Sequence, residues 1–294
     1  MRRTLKIQVA ISILAAWLSV PAPVAAQLTP EATRGFERYV QLTEKRMSAE
    51  ESSGAAFLRI DGLPEAQRQS DLAQLENGKV VSEQLTTSAA AVEIATPGAL
   101  IHHWVGTVFI PGAALPQVLA IVQDYDHQQQ YYKPEVERSK LLTRSADDFT
   151  IYLRLKQTDI LTVVLDTEYQ VHYARLDANR VTSRSYSTRV AEIARPGEAH
   201  ERALSSSEDH GFLWRINSYW CFEQTPAGVF VQCEAISLTR DIPVGFGWML
   251  TPLIEQVPRE SLEFTLGATR KAVLNRMSLI GPSPDSASQS VRHP

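Results

Sequence analysis

Between residues 136 and 238 six β runs follow one another with almost no helical signal among them, and one long helix comes after. The runs are Val136 to Thr143, Phe149 to Lys156, Ile160 to Tyr173, Arg180 to Glu192, Gly211 to Glu223 and Val229 to Leu238, separated by polar knots such as Asp147-Asp148 and Asp177-Ala178-Asn179. Such a row of strands makes an antiparallel sheet with one face for water and one that must be covered. Only the long helix through Leu262, Leu266, Thr269 and Val273 is left to cover it. A curved sheet wrapped on a single helix leaves space between them, either filled by side chains or open as a pocket. The expected class is therefore α+β.

Upstream, Ala99 to Ile110 reads as a further strand stopped by Pro111-Gly112, and a helix follows with Leu115, Val118, Leu119 and Val122 on one side. Residues 27–97 precede this domain. Thr29-Pro30-Glu31 reads as a helix start, and Phe36, Tyr39, Val40, Thr43 and Met47 recur at helical spacing until Ser52-Ser53-Gly54. A short strand from Phe57 to Ile60, a charged helix after Pro64 and a strand at Val80-Val81 complete the section. It is too lean in apolar residues to fold alone, so it is expected as an extension packed on the main domain. Residues 193–210 form a polar loop. Pro243 onward is helical with an expected break at Pro258. The domain should span 98–277, with a Ser/Pro-rich, disordered tail over 278–294.

The first 26 residues read as an address. Arg2, Arg3 and Lys6 precede an apolar run from Ile7 to Leu18, and Val24 and Ala26 supply small residues at −3 and −1, the pattern of a cleavable secretory signal. The run is too short to cross a bilayer, which takes about 20 residues. The mature chain, 26 basic residues against 33 acidic, is expected to be soluble and exported, periplasmic or secreted. Its acidic balance and a pI near 6.0 argue against nucleic-acid binding. Export permits disulfides. Cys221 and Cys233 flank the turn Thr225-Pro226-Ala227-Gly228. One hairpin register would set them opposite each other; the other, preferred by the period-2 pattern, sets Trp220 opposite Cys233 and argues against a bridge.

The opening strand and helix (Val105 to Gly112, then Leu115 to Tyr125), the late hairpin (Gly211 to Arg215 through Tyr219-Trp220 to Cys233-Glu234-Ala235), and Arg240-Asp241-Ile242-Pro243 before the last helix resemble the START-like, or SRPBCC, superfamily. The resemblance spans roughly residues 98–275 and leaves out 27–97. It implies a helix-grip fold, a curved antiparallel sheet on a C-terminal helix, with a cavity for a hydrophobic ligand. It does not imply one reaction.

Candidate ligand-binding residues are His103, Tyr169, Arg184, Tyr186, Trp214, Trp220 and Trp248. His102 and His103, adjacent on a strand, point to opposite faces and cannot chelate one metal together. The inward one could bind a polar head group, and a hydrogen-bonded structural His is the plainer reading. Arg184, beside Tyr186, could clamp a carboxylate or phosphate, or pair with Asp166, Glu168 or Glu192. Trp214, Trp220 and Phe222 share a face by period, as do Tyr169 and Tyr173; they line a cavity or pack a core. Trp248, with Met249, is a candidate for the cavity mouth or for transient membrane contact, against plain burial. Asp124, Asp126 and His127 read as a solvated helix terminus rather than a metal site. No phosphate loop, zinc or nucleophile motif is present, and neither metal nor cofactor is expected. The leading expectation is a binding protein for a lipid or other apolar molecule. An enzyme of cyclase or lyase type using His103 with Tyr186 or Tyr169, and an envelope interaction module docking through the N-terminal helix, are the alternatives.

Overall fold

The structure is a computed structural model that describes residues 27–53, 56–89, 92–158, 162–241 and 247–280, with side chains of the last helix from residue 256 to 279. The leader, the residues after 280 and the Trp248 side chain lie outside the described residues.

Helix α1 (Pro30–Ser53) begins where the sequence places it: Thr29 Oγ1 accepts the Ala32 N–H at 3.1 Å, an N-terminal cap. The expected strand at 57–60 is instead a 3₁₀ turn (Arg59–Gly62). The Asp61 carboxylate accepts the Phe57 and Leu58 N–H groups at 3.1 and 2.8 Å and curls the chain on itself. Helix α2 (Glu65–Glu76), strand β1 (Val81–Gln84) and the two-residue strands β2 (Ser88–Ala89) and β3 (Val92–Glu93) follow. The long β4 (Ala99–Pro111) leads into α3 (Leu115–Val122) and the single turn α4 (Gln128–Tyr131). Then come β5 (Val136–Ser145), β6 (Asp148–Thr158), β7 (Thr162–Arg175), β8 (Arg180–Ala194), the short β9 (Arg202–Ala203), β10 (Arg215–Thr225) and β11 (Gly228–Arg240). Helix α5 (Gly247–Ile280) closes the described chain. It runs through Pro258 without the expected break. Proline withholds one backbone donor there, and burial of Leu262 and Leu266 further along outweighs that loss.

The main sheet has the order β1-β4-β11-β10-β8-β7-β6-β5, with every neighbouring pair antiparallel and β9 on β8. Register shifts in the β5–β6 pair and at Glu168/Tyr169 in the β7–β8 pair mark irregularities of the kind that bend a strand. One face packs on α5 and α3: Leu262, Leu266 and Val273 meet a core that includes Val108, Phe222 and Val231. Gly106 lets the helix come close, since a Cβ at that position would stand 2.7 Å from Leu266 Cδ1. This is the helix-grip architecture.

The opposite face, expected to meet water, is covered too. Ala32, Phe36, Tyr39 and Val40 of α1 cluster with Ile236 and Leu238 of β11. Leu58, Ile60 and Leu75 pack on Phe109 further along the same face. The β4, β11 and β10 part of the sheet is thus sandwiched between α5 and the N-terminal section.

In the β10–β11 hairpin Trp220 stands opposite Cys233 and Thr225 opposite Gly228, the register that the period-2 pattern prefers. Cys221 and Cys233 are both free.

Candidate functional site

Strand alternation sorts the site residues before any ligand is considered. On β4 the even positions from Trp104 to Ile110 face α5, and the odd positions face α1 and the 3₁₀ turn. On β8, Val181 belongs to the α5-side core, whereas Arg184 and Tyr186 point to α1.

Of the expected ligand residues, Tyr169 and Trp220 lie on the α5 side. Tyr169 is buried in the main core, and burial pushes its phenol up to about 12. Trp220 is half-buried and stacks on Phe222, with ring centres 5.9 Å apart and planes 6° from parallel.

His103, Arg184, Tyr186 and Trp214 lie away from the α5-side core. His103 is 2% exposed and both ring nitrogens are engaged, Nδ1 with the Tyr39 hydroxyl at 2.9 Å and Nε2 with Glu234 Oε1 at 2.7 Å. It is therefore a structural histidine, held out of the α5-side core because it sits at an odd position of β4. Arg184 meets Glu51 of α1 at 3.7 Å, not Asp166, Glu168 or Glu192. Asp166 is already taken by a bidentate contact with Arg154 at 2.7 and 2.8 Å. The Tyr186 hydroxyl donates to Glu44 at 2.8 Å, and burial, then that carboxylate, push its phenol up to about 12. Trp214 precedes β10 and packs with Ile236 and Leu238 beneath α1; its Nε1 donates to Asp209 at 3.1 Å.

His102, on the α5 side, is buried with Nε2 at 2.9 Å from Thr239 Oγ1. Burial alone depresses its pKa to about 4, so it is neutral at physiological pH. The Asp124–Asp126–His127 group is used locally: Asp124 bonds His127 and Tyr131, and Asp126 accepts the Leu141 N–H. Among the described residues no cluster fit to hold a metal is present.

A cavity of about 80 Å³ lies beneath the C-terminal end of α1, with Arg46, Glu51, Phe57, Arg184 and Glu234 among its walls. It is smaller than the few hundred Å³ a drug-sized ligand takes. A more open hollow of about 250 Å³ adjoins it, between Glu51, Phe57, Leu176 and Arg180. The α5 side is marked by partly exposed side chains and not by a cavity of measured volume. Trp104, Leu153, Ile216 and Trp220 face inward there yet remain only half-buried around the main core. Small side chains occupy positions near the middle of that face, with Ala235 opposite Trp104, then Ser218 and Ser185 across the next strands.

The residues missed from sequence alone are Trp104 and the α1 anchors Tyr39, Glu44 and Arg46. Trp104 was legible as an even-numbered partner of Gly106. The anchors could not be found without knowing that α1 lies on the outer face.

No family model and no curated protein matches this chain. Solved structures do. TTHA0849 from Thermus thermophilus is 18% identical with a TM-score of 0.41, over 58% of this chain and 97% of that one. A STAR-related lipid transfer protein from Xanthomonas axonopodis is 18% identical with a TM-score of 0.43, over 66% and 98%. The Zhui aromatase/cyclase from Streptomyces sp. R1128 is 13% identical with a TM-score of 0.41, over 62% and 99%. The strand order and the C-terminal helix across one sheet face are this chain's own observations. The fold is a helix-grip arrangement, an antiparallel sheet on a C-terminal helix. Such a scaffold alone names neither a ligand nor a reaction.

Proposed function

We propose that this protein is an exported carrier that holds an apolar small molecule, a lipid or a compound of similar character, between the sheet and the N-terminal half of α5. One observation supports the reading above others: Trp104, Leu153, Ile216 and Trp220 point into the fold and are still only half-buried. Inward-facing apolar surface left partly open is what a guest would cover, at about 25 cal/mol for each Å² removed from water, less the ordering costs of binding. The basic and apolar leader supports export.

The enzyme alternative, His103 with Tyr186 or Tyr169, has less support: Tyr169 lies on the opposite face, and on the shared face the Tyr186 hydroxyl is bonded to Glu44 while both His103 nitrogens are engaged. The test of the carrier reading is native mass spectrometry of the full chain expressed with its leader, recovered from the periplasm without detergent. A bound apolar molecule and a chain beginning at Gln27 are expected. An empty protein that also fails to take up fatty acids or quinones overturns the reading.

A further inference from the structure

Trp104 Nε1 is buried and has no hydrogen-bond partner among the described residues. A buried donor without an acceptor costs about 1–3 kcal/mol, and native interiors rarely leave one unexplained. On β1 the residue paired with Trp104 is Gln84, whose exposed side chain makes no bond to the indole. The cross-strand neighbour of Trp104 on β11 is Ala235, followed by Ser218 on β10, whose side chains are short. Over the ring stands the Arg259 guanidinium, 6.0 Å from the ring centre, a group that can only donate. Phenylalanine would supply the same apolar ring there without the polar atom.

We propose that the molecule held between the sheet and α5 carries an acceptor oxygen, of carbonyl, ester or quinone type, that takes the Trp104 Nε1 hydrogen. This rests on the carrier reading and adds a polar requirement to it. A purely hydrocarbon guest would leave the donor unmet. A guest with an oxygen near one end would be fixed in orientation, its oxygen at β4 and its apolar body along Ile216 and Trp220. The cost of the unmet donor in the empty protein becomes a preference for oxygen-bearing guests in the loaded one.

Two isosteric probes separate the ideas, 2-acetylnaphthalene and 2-isopropenylnaphthalene, which differ by an oxygen in place of a methylene group. Affinities are measured by calorimetry on delipidated full-length mature protein, wild type and Trp104→Phe. The Trp104 Nε1–H resonance, assigned from its loss in W104F, is followed by ¹⁵N NMR. In the wild type the ketone is expected to bind about tenfold more tightly than the alkene and to move that resonance downfield. In W104F the two should bind alike. Equal binding of both probes to the wild type, with the resonance unmoved, overturns the acceptor inference and leaves the carrier reading standing. Binding of neither probe overturns the acceptor inference, and the carrier reading falls with it only if fatty acids and quinones are refused as well. Should W104F fail to fold, the wild-type affinity ratio still decides.

Discussion

The Tyr39 hydroxyl stands 2.9 Å from His103 Nδ1 and so pins the N-terminal helix to β4, next to the edge strand of the sheet. The same hydroxyl accepts the Thr87 N–H at 2.8 Å, which leaves its own hydrogen for the imidazole. His103 Nε2 then donates to Glu234, and Glu234 pairs with Arg46, about two turns beyond Tyr39 on the same helix. A residue with the look of an acid–base group is thereby committed to holding two layers together. Tyr39→Phe should cost about 1–3 kcal/mol, since it strands a buried imidazole nitrogen and a backbone N–H. Urea unfolding measures this, and an unchanged midpoint would show the contact to be idle.

Stability should fall on mild acidification because of His102. The unfolded chain takes a proton on this residue near pH 6.5, whereas the folded one refuses it until about pH 4. The group's contribution is full above about pH 6.5 and is lost as pH falls from there to about 4. The loss amounts to about 3 kcal/mol. His102→Gln, which keeps a donor for Thr239, should flatten that part of the curve of unfolding free energy against pH. An equally steep curve in the variant would place the effect elsewhere.

Neither cysteine should form a disulfide. Cys233 faces the α5-side core, while Cys221 lies on the opposite face near Phe109 and Phe230. Burial pushes both thiols up, so neither is a ready nucleophile. Iodoacetamide should leave the native protein's mass unchanged over minutes and add two groups once it is unfolded in urea without reductant. Failure to label under those unfolding conditions would reveal a bridge.

The grip of α5 depends on Gly106 and Leu266. Leu266 is fully buried, and Leu266→Ala should cost about 2–5 kcal/mol through the cavity it leaves. Gly106→Leu fills space that the helix occupies and should cost about 1–3 kcal/mol. Thermal unfolding compares both with wild type. A neutral Gly106→Leu would mean that α5 can lift from β4 without cost.

Much of the fold was legible because period-2 alternation and turn residues speak locally. The strands from Val136 to Arg240, the hairpin register and the long last helix all follow from such signals. What failed was long-range. Period 2 separates His102 from His103 but does not say which one meets α5, and the answer depends on where α1 docks, some 60 residues earlier in the chain. The polar anchors on α1 carry the same ambiguity. Glu44 accepts both the Tyr186 and Tyr219 hydroxyls at 2.8 Å, yet in sequence it is one more charge on a helix face. Asp61 shows the reverse case, in which a local side-chain hydrogen bond overrides an apolar run that reads as a strand.

The central claim is one of location, and photocrosslinking tests it most directly. A diazirine-bearing fatty acid bound to the mature protein, activated by light and mapped by peptide mass spectrometry, should label peptides containing Leu153, Ile216 and Trp220. Labelling confined to Arg46, Phe57 and Arg184, around the small cavity beneath α1, would contradict the account.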